Sequence, residues 1–278
     1  MDSLCVSKEA GSPYAYVTLL ANDAYLPGIT ALVNSLHVSD TRADIVVLYT
    51  EIVTSSELKP LNAAGCHLVK VALLDVSDAF KDRHERDRLH GNAPFTKGKK
   101  PVFHSPLLNF CKLRLWQLTN YERVIFLDGD TIVIRNIDRL FGYPEFSAAP
   151  NVYENLADFH RLNSGVFVAK PSRKTFEDML EHLDQPGKFW KRTDQTFLQD
   201  YFPDWHGLPV FYNMLQYVWF NLPELWDWGS VHVIHYQYEK PWETGHARAT
   251  QLKPLIDLWR AFYTGEDIPD LSSLPDQT

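Results

Sequence analysis

Apolar and polar residues alternate along this chain in blocks of two kinds, and the order of the blocks predicts the fold class. Tyr14-Ala15-Tyr16-Val17-Thr18-Leu19-Leu20 is dense in aromatic, β-branched and aliphatic residues and reads as a first strand. Asn22 and Asp23 follow as turn or cap residues. From Ala24 to Leu36 the apolar side chains recur at helical spacing (Leu26, Ile29, Leu32, Val33, Leu36), with Pro27 in an early turn where proline is tolerated. Asp44 to Tyr49 predicts a second strand. Thr54 to Ala64 predicts a second helix, opened by a capping box of Thr54 with Glu57 and ended by Gly65. His67 to Leu74 predicts a third strand. Strand, helix, strand, helix, strand is the signature of an α/β fold, a parallel sheet with crossovers.

One stretch organises the chain on either side of it. Val124-Ile125-Phe126-Leu127 is apolar without interruption, as a strand covered on both faces is. It breaks at Asp128-Gly129-Asp130 and resumes at Thr131-Ile132-Val133-Ile134. In open α/β sheets ligands bind at the carboxyl ends of strands. Two carboxylates one residue apart at such an end repel each other, and a hard divalent cation offsets that repulsion. Gly129 between them lets a ligand or metal approach the backbone. Read alone, the pair has two other meanings: an acidic surface turn, or the nucleophile of a haloacid dehalogenase-type phosphatase. The phosphatase pattern continues with Gly-Thr after the second Asp, whereas here Thr131 follows directly.

Elsewhere the pattern is less regular. Asp78 to Pro101 is charged, basic toward its end and interrupted by Gly91, Pro94, Gly98 and Pro101, and it reads as a mobile excursion or a lid. Ser105 to Leu118 predicts a helix with Pro106 in its first turn. Asn136 to Phe141 predicts a short helical turn. Asn163-Ser164-Gly165 predicts a turn feeding a strand at Val166 to Ala169. Ser172 to Leu183 and Thr193 to Tyr201 predict helices, the second capped by Thr193 and opening on Asp194-Gln195. A short strand at Val231 to His235 and a last helix from about Gln251 to Tyr263 complete the pattern. The expected organisation is a flexible N-terminus (1–13), one domain (14–263) and a flexible tail (264–278).

Composition narrows the function classes. Thirty-five acidic against 27 basic residues give a formal charge of −8, which argues against nucleic acid or an anionic membrane as the main partner. Cys5, Cys66 and Cys111 are isolated and odd in number, as free thiols in a reducing compartment are. The polar N-terminus carries no signal-peptide pattern and no apolar run is long enough to span a bilayer, so a cytoplasmic location is expected. No Gly-x-Gly-x-x-Gly follows the first strand and no P-loop lysine motif is present.

Five motifs, in order, are similar to those of glycosyltransferase family 8, the group that contains glycogenin and plant galactinol synthase. They are Asn22-Asp23-Ala24-Tyr25 after the first strand, Lys112-Leu113-Arg114, Leu127-Asp128-Gly129-Asp130, Asn163-Ser164-Gly165-Val166 with Asp194-Gln195, and His235 with Lys240-Pro241-Trp242. The resemblance covers about Tyr14 to Trp242. It implies a GT-A nucleotide-sugar transferase fold, with a mixed, mainly parallel central sheet flanked by helices, and Mn2+-dependent, retaining transfer of a hexose, with UDP-glucose or UDP-galactose as donor and a small molecule or glycan as acceptor. Carried onto this sequence, Asp128, Asp130 and His235 would hold the metal and Lys240 the diphosphate. Leu20, Asn22 and Tyr25 would line the uridine pocket, and Lys112 would reach toward the donor. Asn163, with Ser164, and Gln195 would hold the sugar, beside Asp194 at the reacting carbon. Two alternatives stay open: a self-glycosylating primer of the glycogenin kind, and a non-catalytic nucleotide-sugar-binding protein. Against the primer, Trp219 and Asn221 stand where its tyrosines are expected. The oligomeric state is open, a homodimer included.

Overall fold

The computed structural model describes residues 11–85, 100–185, 193–270 and 274. Its first half follows the predicted alternation: β1 (Tyr14–Leu20), α1 (Leu26–Val38), β2 (Asp44–Thr50), α2 (Leu58–Ala63) and β3 (His67–Val71). Next come α3 (Asp78–Arg83), α4 (Pro106–Asn109), β4 (Arg123–Leu127), β5 (Thr131–Val133), β6 (Ser147–Pro150) and β7 (Leu162–Ala169). The chain continues through α5 (Arg173–Leu183), α6 (Asp194–Tyr201), β8 (His206–Gly207), β9 (Met214–Leu215), α7 (Val218–Asn221), β10 (Val233–His235) and α8 (Lys253–Thr264).

A seven-stranded sheet runs β3-β2-β1-β4-β7-β6-β8. Strands β1 to β4 are mutually parallel, and β7 joins antiparallel to both β4 and β6. The central position of β4 explains its unbroken apolar run, since Val124 to Leu127 are all fully buried. A second sheet, β5-β10-β9, pairs β5 antiparallel with β10 and sets Thr131 opposite His235. The organising stretch is therefore two strands in two sheets, with Asp128-Gly129-Asp130 as the turn between them. Thr131 closes that turn, its N–H and its hydroxyl both donating to the Asp128 carbonyl, at 3.1 and 2.8 Å. Each sheet has its own buried cluster: aliphatic and Phe-rich around β1, β4 and β7, and Trp-rich under β10 and α8, where Trp219, Trp226 and Trp228 meet and Trp259 packs on Trp242.

Four local expectations are corrected. Thr54 makes no capping box; its hydroxyl and N–H both donate to the Asp23 carboxylate, at 2.6 and 2.9 Å. Thr193 makes no side-chain cap bond. Asn163-Ser164-Gly165 is no turn but the first half of β7, where the neighbouring strands β4 and β6 hold it extended. The helix expected from Ser105 to Leu118 is α4 followed by a 3-10 segment, Phe110–Gln117, whose side chains are buried on nearly every side. Packing rather than an amphipathic period fixes that segment. The excursion expected from Asp78 begins as α3, capped by Ser77, while residues 86–99 lie outside the described residues. Cys66 and Cys111 are both buried. Among the described residues no helix is long and apolar enough to cross a membrane.

Candidate active site

The turn between the two sheets places Asp128 and Asp130 at the carboxyl end of β4, and the β5–β10 pairing brings His235 across to them. Each aspartate uses one oxygen on a lysine and turns the other toward His235. Lys112 Nζ lies 3.0 Å from Asp128 Oδ1, and Lys240 Nζ pairs with Asp130 Oδ2. His235 Nε2 is 3.2 Å from Asp130 Oδ1 and 4.0 Å from Asp128 Oδ2. One ligand atom from each of the three residues falls within 4.8 Å of the other two.

A chain of amides sets the tautomer of His235. The Gly165 backbone N–H donates to Asn163 Oδ1 at 2.9 Å, which fixes the Asn163 carboxamide. That same oxygen accepts from Asn213 Nδ2 at 2.9 Å, which fixes Asn213. Asn213 Oδ1 then faces His235 Nδ1 at 3.0 Å, so Nδ1 carries the hydrogen and the Nε2 lone pair turns to the carboxylates. A lone pair facing two carboxylate oxygens is repulsive unless a proton or a cation lies between them. Two hard oxygens and one imidazole nitrogen suit a divalent metal ion.

The charges are arranged around this cluster. Burial alone would push the Asp130 carboxyl up, yet Lys240 and His235 hold it well below the usual carboxylate range. Burial prevails at Asp128 and raises its carboxyl, against the pull of Lys112. Lys112 is 2% exposed; burial works against its charge, but Asp128 and Asp194 raise its ammonium above the ordinary lysine value. Its Nζ reaches Asp194 Oδ2 at 2.6 Å and stands 4.8 Å above the Phe126 ring. Asp194 opens α6, where the helix dipole also favours a carboxylate, and its Oδ2 accepts from the Ser164 hydroxyl at 3.1 Å. Gln195 Oε1 accepts the Ser164 N–H at 3.2 Å.

Most of the residues singled out in the sequence line this one cavity: Tyr25, Lys112, Asp128, Gly129, Asp130, Asn163, Ser164, Asp194, Gln195, His235 and Lys240. Leu20 and Asn22 do not. Side chains alternate along a strand, so Leu19 and Ala21 reach the cavity while Leu20 is turned into the core. Asn22 caps the following turn through Ala24 N–H, and its Nδ2 donates to the Phe103 carbonyl at 2.9 Å. Several lining residues carried no sequence signal: Lys100, His104, Tyr153 and Gln237. His104 Nδ1 lies 3.1 Å from the Tyr25 hydroxyl. Burial and the nearby Lys240 lower Lys100 to about 8.

Solved structures share this fold. The galactosyltransferase LgtC, in complex with donor and acceptor sugar analogs, aligns with a TM-score of 0.60 over 92% of this chain and 98% of its own, at 13% identity. GlyE, a glycosyltransferase of Streptococcus pneumoniae TIGR4, aligns with a TM-score of 0.60 over 94% of this chain and 62% of its own, at 16% identity. A mainly parallel sheet flanked by helices, with an acid-rich cluster at its strand ends, is the architecture of a GT-A glycosyltransferase. The family model for glycosyl transferase family 8 matches residues 16–245, and the chain belongs to that family. Among its relatives, UDP-glucuronate:xylan alpha-glucuronosyltransferase 2 of Arabidopsis thaliana is 31% identical over 238 residues. That alignment covers 82% of this chain and 35% of the relative. Human glycogenin-1 is 35% identical over 237 residues, covering 82% of this chain and 62% of glycogenin-1. The chain thus spans about a third of the length of the xylan glucuronosyltransferases.

Proposed function

We propose that this chain transfers a hexosyl unit from a UDP-sugar to a separate glycan or small-molecule acceptor, with Mn2+ and with retention at the anomeric carbon. The observation that carries the reading is the convergence of Asp128 Oδ2, Asp130 Oδ1 and His235 Nε2, flanked by Lys112 and Lys240. A bound divalent cation supplies Lewis-acid stabilisation of the departing diphosphate. Lys240, held by Asp130 and by the Tyr236 carbonyl at 2.9 Å, adds a preorganised positive charge for the same group. Asn163, Ser164 and Gln195 present polar groups to the sugar. Asp194 is engaged by both Lys112 and Ser164, which blunts it as a nucleophile and suits it to stabilise positive charge developing at the reacting carbon. A same-face path then needs no enzyme nucleophile: the departing phosphate oxygen takes the acceptor's proton.

A separate acceptor is favoured over self-glycosylation by the burial of the nearby tyrosines. Tyr212 and Tyr217 are 4% and 1% exposed, and the Tyr217 hydroxyl donates to Glu239 at 2.7 Å. The relatives' names place UDP-glucuronate beside UDP-glucose and UDP-galactose on the panel to be tried. The experiment measures UDP release from each donor with Mn2+, for wild type and Asp130→Ala. Release from one donor, lost on chelation and in the variant, is expected. Release that persists in both, or none from any donor, overturns the reading.

A further inference from the structure

Gln237 sits between His235 and Lys240, lines the same cavity and is 4% exposed. The orientation of its carboxamide is fixed. The Gln216 backbone N–H donates to Gln237 Oε1 at 3.0 Å, and a flipped amide would set two donors against each other. Gln216 is itself anchored, its Nε2 donating to the carbonyls of Gln237 and Glu239 at 2.6 and 3.1 Å. Gln237 Nε2 is left buried, with no hydrogen-bond partner among the described residues. Buried amide donors are nearly always satisfied, because leaving one unpaired forfeits its hydration for nothing. An orphaned donor in a residue lining a substrate cavity calls for an acceptor oxygen on the ligand.

We infer that Gln237 is a substrate-binding residue whose carboxamide N–H donates to a diphosphate oxygen of the nucleotide-sugar. The inference rests on the proposal that the donor is a UDP-sugar. The segment from His235 to Lys240 supplies both the metal-facing imidazole and the lysine that flanks it, so the leaving diphosphate is the part of the donor beside it. A diphosphate oxygen is acceptor-only and anionic, which suits a fixed N–H and makes the bond a strong one. A sugar hydroxyl would accept either end of an amide and would need no such fixing.

Two variants separate this role from a structural one. Gln237→Glu keeps an oxygen for the Gln216 N–H but removes the donor and puts a negative charge toward the diphosphate. Gln237→Leu removes both polar ends. Binding of UDP and of uridine is measured by calorimetry with Mn2+ present, beside the melting temperature of the nucleotide-free proteins. UDP affinity is expected to fall roughly tenfold or more in both variants, the loss expected for a hydrogen bond to a charged group. Uridine affinity stays within about twofold on the same ground, because the missing bond is to the diphosphate. A Gln237 that makes no bond to the diphosphate predicts UDP binding by the uncharged Gln237→Leu within about twofold of wild type, and that result overturns the inference. So does an equal loss of uridine binding. If the wild-type protein itself fails to bind UDP, the donor reading falls and the inference with it, an outcome read from the wild type alone.

Discussion

At the scale of single residues, the site is a set of charges whose partners are fixed in advance. Lys112 is the clearest case, a buried cation held between Asp128 and Asp194. Lys112→Met has nearly the right volume but leaves two carboxylates without their cation. Breaking a buried pair in this way costs about 3–5 kcal/mol, so a large drop in the urea midpoint at unchanged slope is expected. A midpoint near wild type would mean that the pair is not needed for folding. Asn213 acts one step further out. Asn213→Ala removes the acceptor that keeps the hydrogen on His235 Nδ1, and loss of such an outer partner typically weakens metal binding by roughly 10–100-fold. Mn2+ titration followed by electron paramagnetic resonance reads this directly. Unchanged Mn2+ affinity in the variant would place the tautomer under some other control.

At the scale of elements, the site depends on how closely strands from different sheets approach. Gly165 of β7 lies directly under the His235 ring of β10, and a Cβ there would collide with ring atoms Cε1 and Nδ1. Gly165→Ala is expected to displace His235 and abolish Mn2+ binding while the far-ultraviolet circular dichroism stays that of a folded α/β protein; full retention of Mn2+ binding counts against the predicted collision. A second joint lies on the opposite side of β1. Asp138 accepts from the Tyr16 hydroxyl at 2.7 Å, the Thr41 hydroxyl at 2.8 Å and the Arg42 N–H at 3.1 Å. Partial burial pushes its carboxyl up, but these three donors prevail and hold it below the ordinary value. The stability tied to that ionisation is complete above the unfolded-state carboxylate pKa and drains away as pH falls through the lowered folded value. Asp138→Asn is therefore expected to melt lower than wild type at neutral pH, by about 1 kcal/mol given its exposure, with the gap closing in acid. A gap independent of pH would rule out the charge as its source. These joints also mark what the sequence could convey. The alternation from β1 to β3, and the acid pair after an apolar run, were legible because local periodicity and burial on both faces produce them. The second sheet was legible only at β10, which falls within the strand expected at Val231 to His235; β5, with three residues, and β9, with two, are too short to carry a period. Tyr153 and Gln237 lie in irregular segments and Asn213 ends a single 3-10 turn, where nothing but tertiary contact gives a polar side chain its role.

At the scale of the whole molecule, the proposed ligands should hold the two sheets together, because the residues that would bind them come from both. Asp128 directly follows β4 of the large sheet, whereas His235 ends β10 of the small one. Lys112 comes from the segment before β4, Asp194 from α6, and Lys240 from the loop after β10. A ligand that binds only when these elements are assembled stabilises the native state in proportion to RT ln(1 + [L]/Kd), about 2.7 kcal/mol at a hundredfold excess over Kd. For a chain of this size each kcal/mol moves the melting temperature by about 2–4 °C, so UDP with Mn2+ at that excess should raise it by roughly 5–10 °C. The two components are expected to act together. Mn2+ alone meets the repulsion between Asp128 and Asp130, already partly offset by Lys112 and Lys240, so its own shift should be small. UDP alone brings a dianionic diphosphate to a site holding three aspartates, and it too should give little. With both present each supplies the charge the other lacks, and the shift should exceed the sum of the separate ones. Thermal melts at fixed protein concentration, with UDP, Mn2+, both, and both plus a chelator, measure this. Simple additivity of the two separate shifts would mean that nucleotide and metal occupy independent sites, and that the cluster at the end of β4 does not hold a diphosphate.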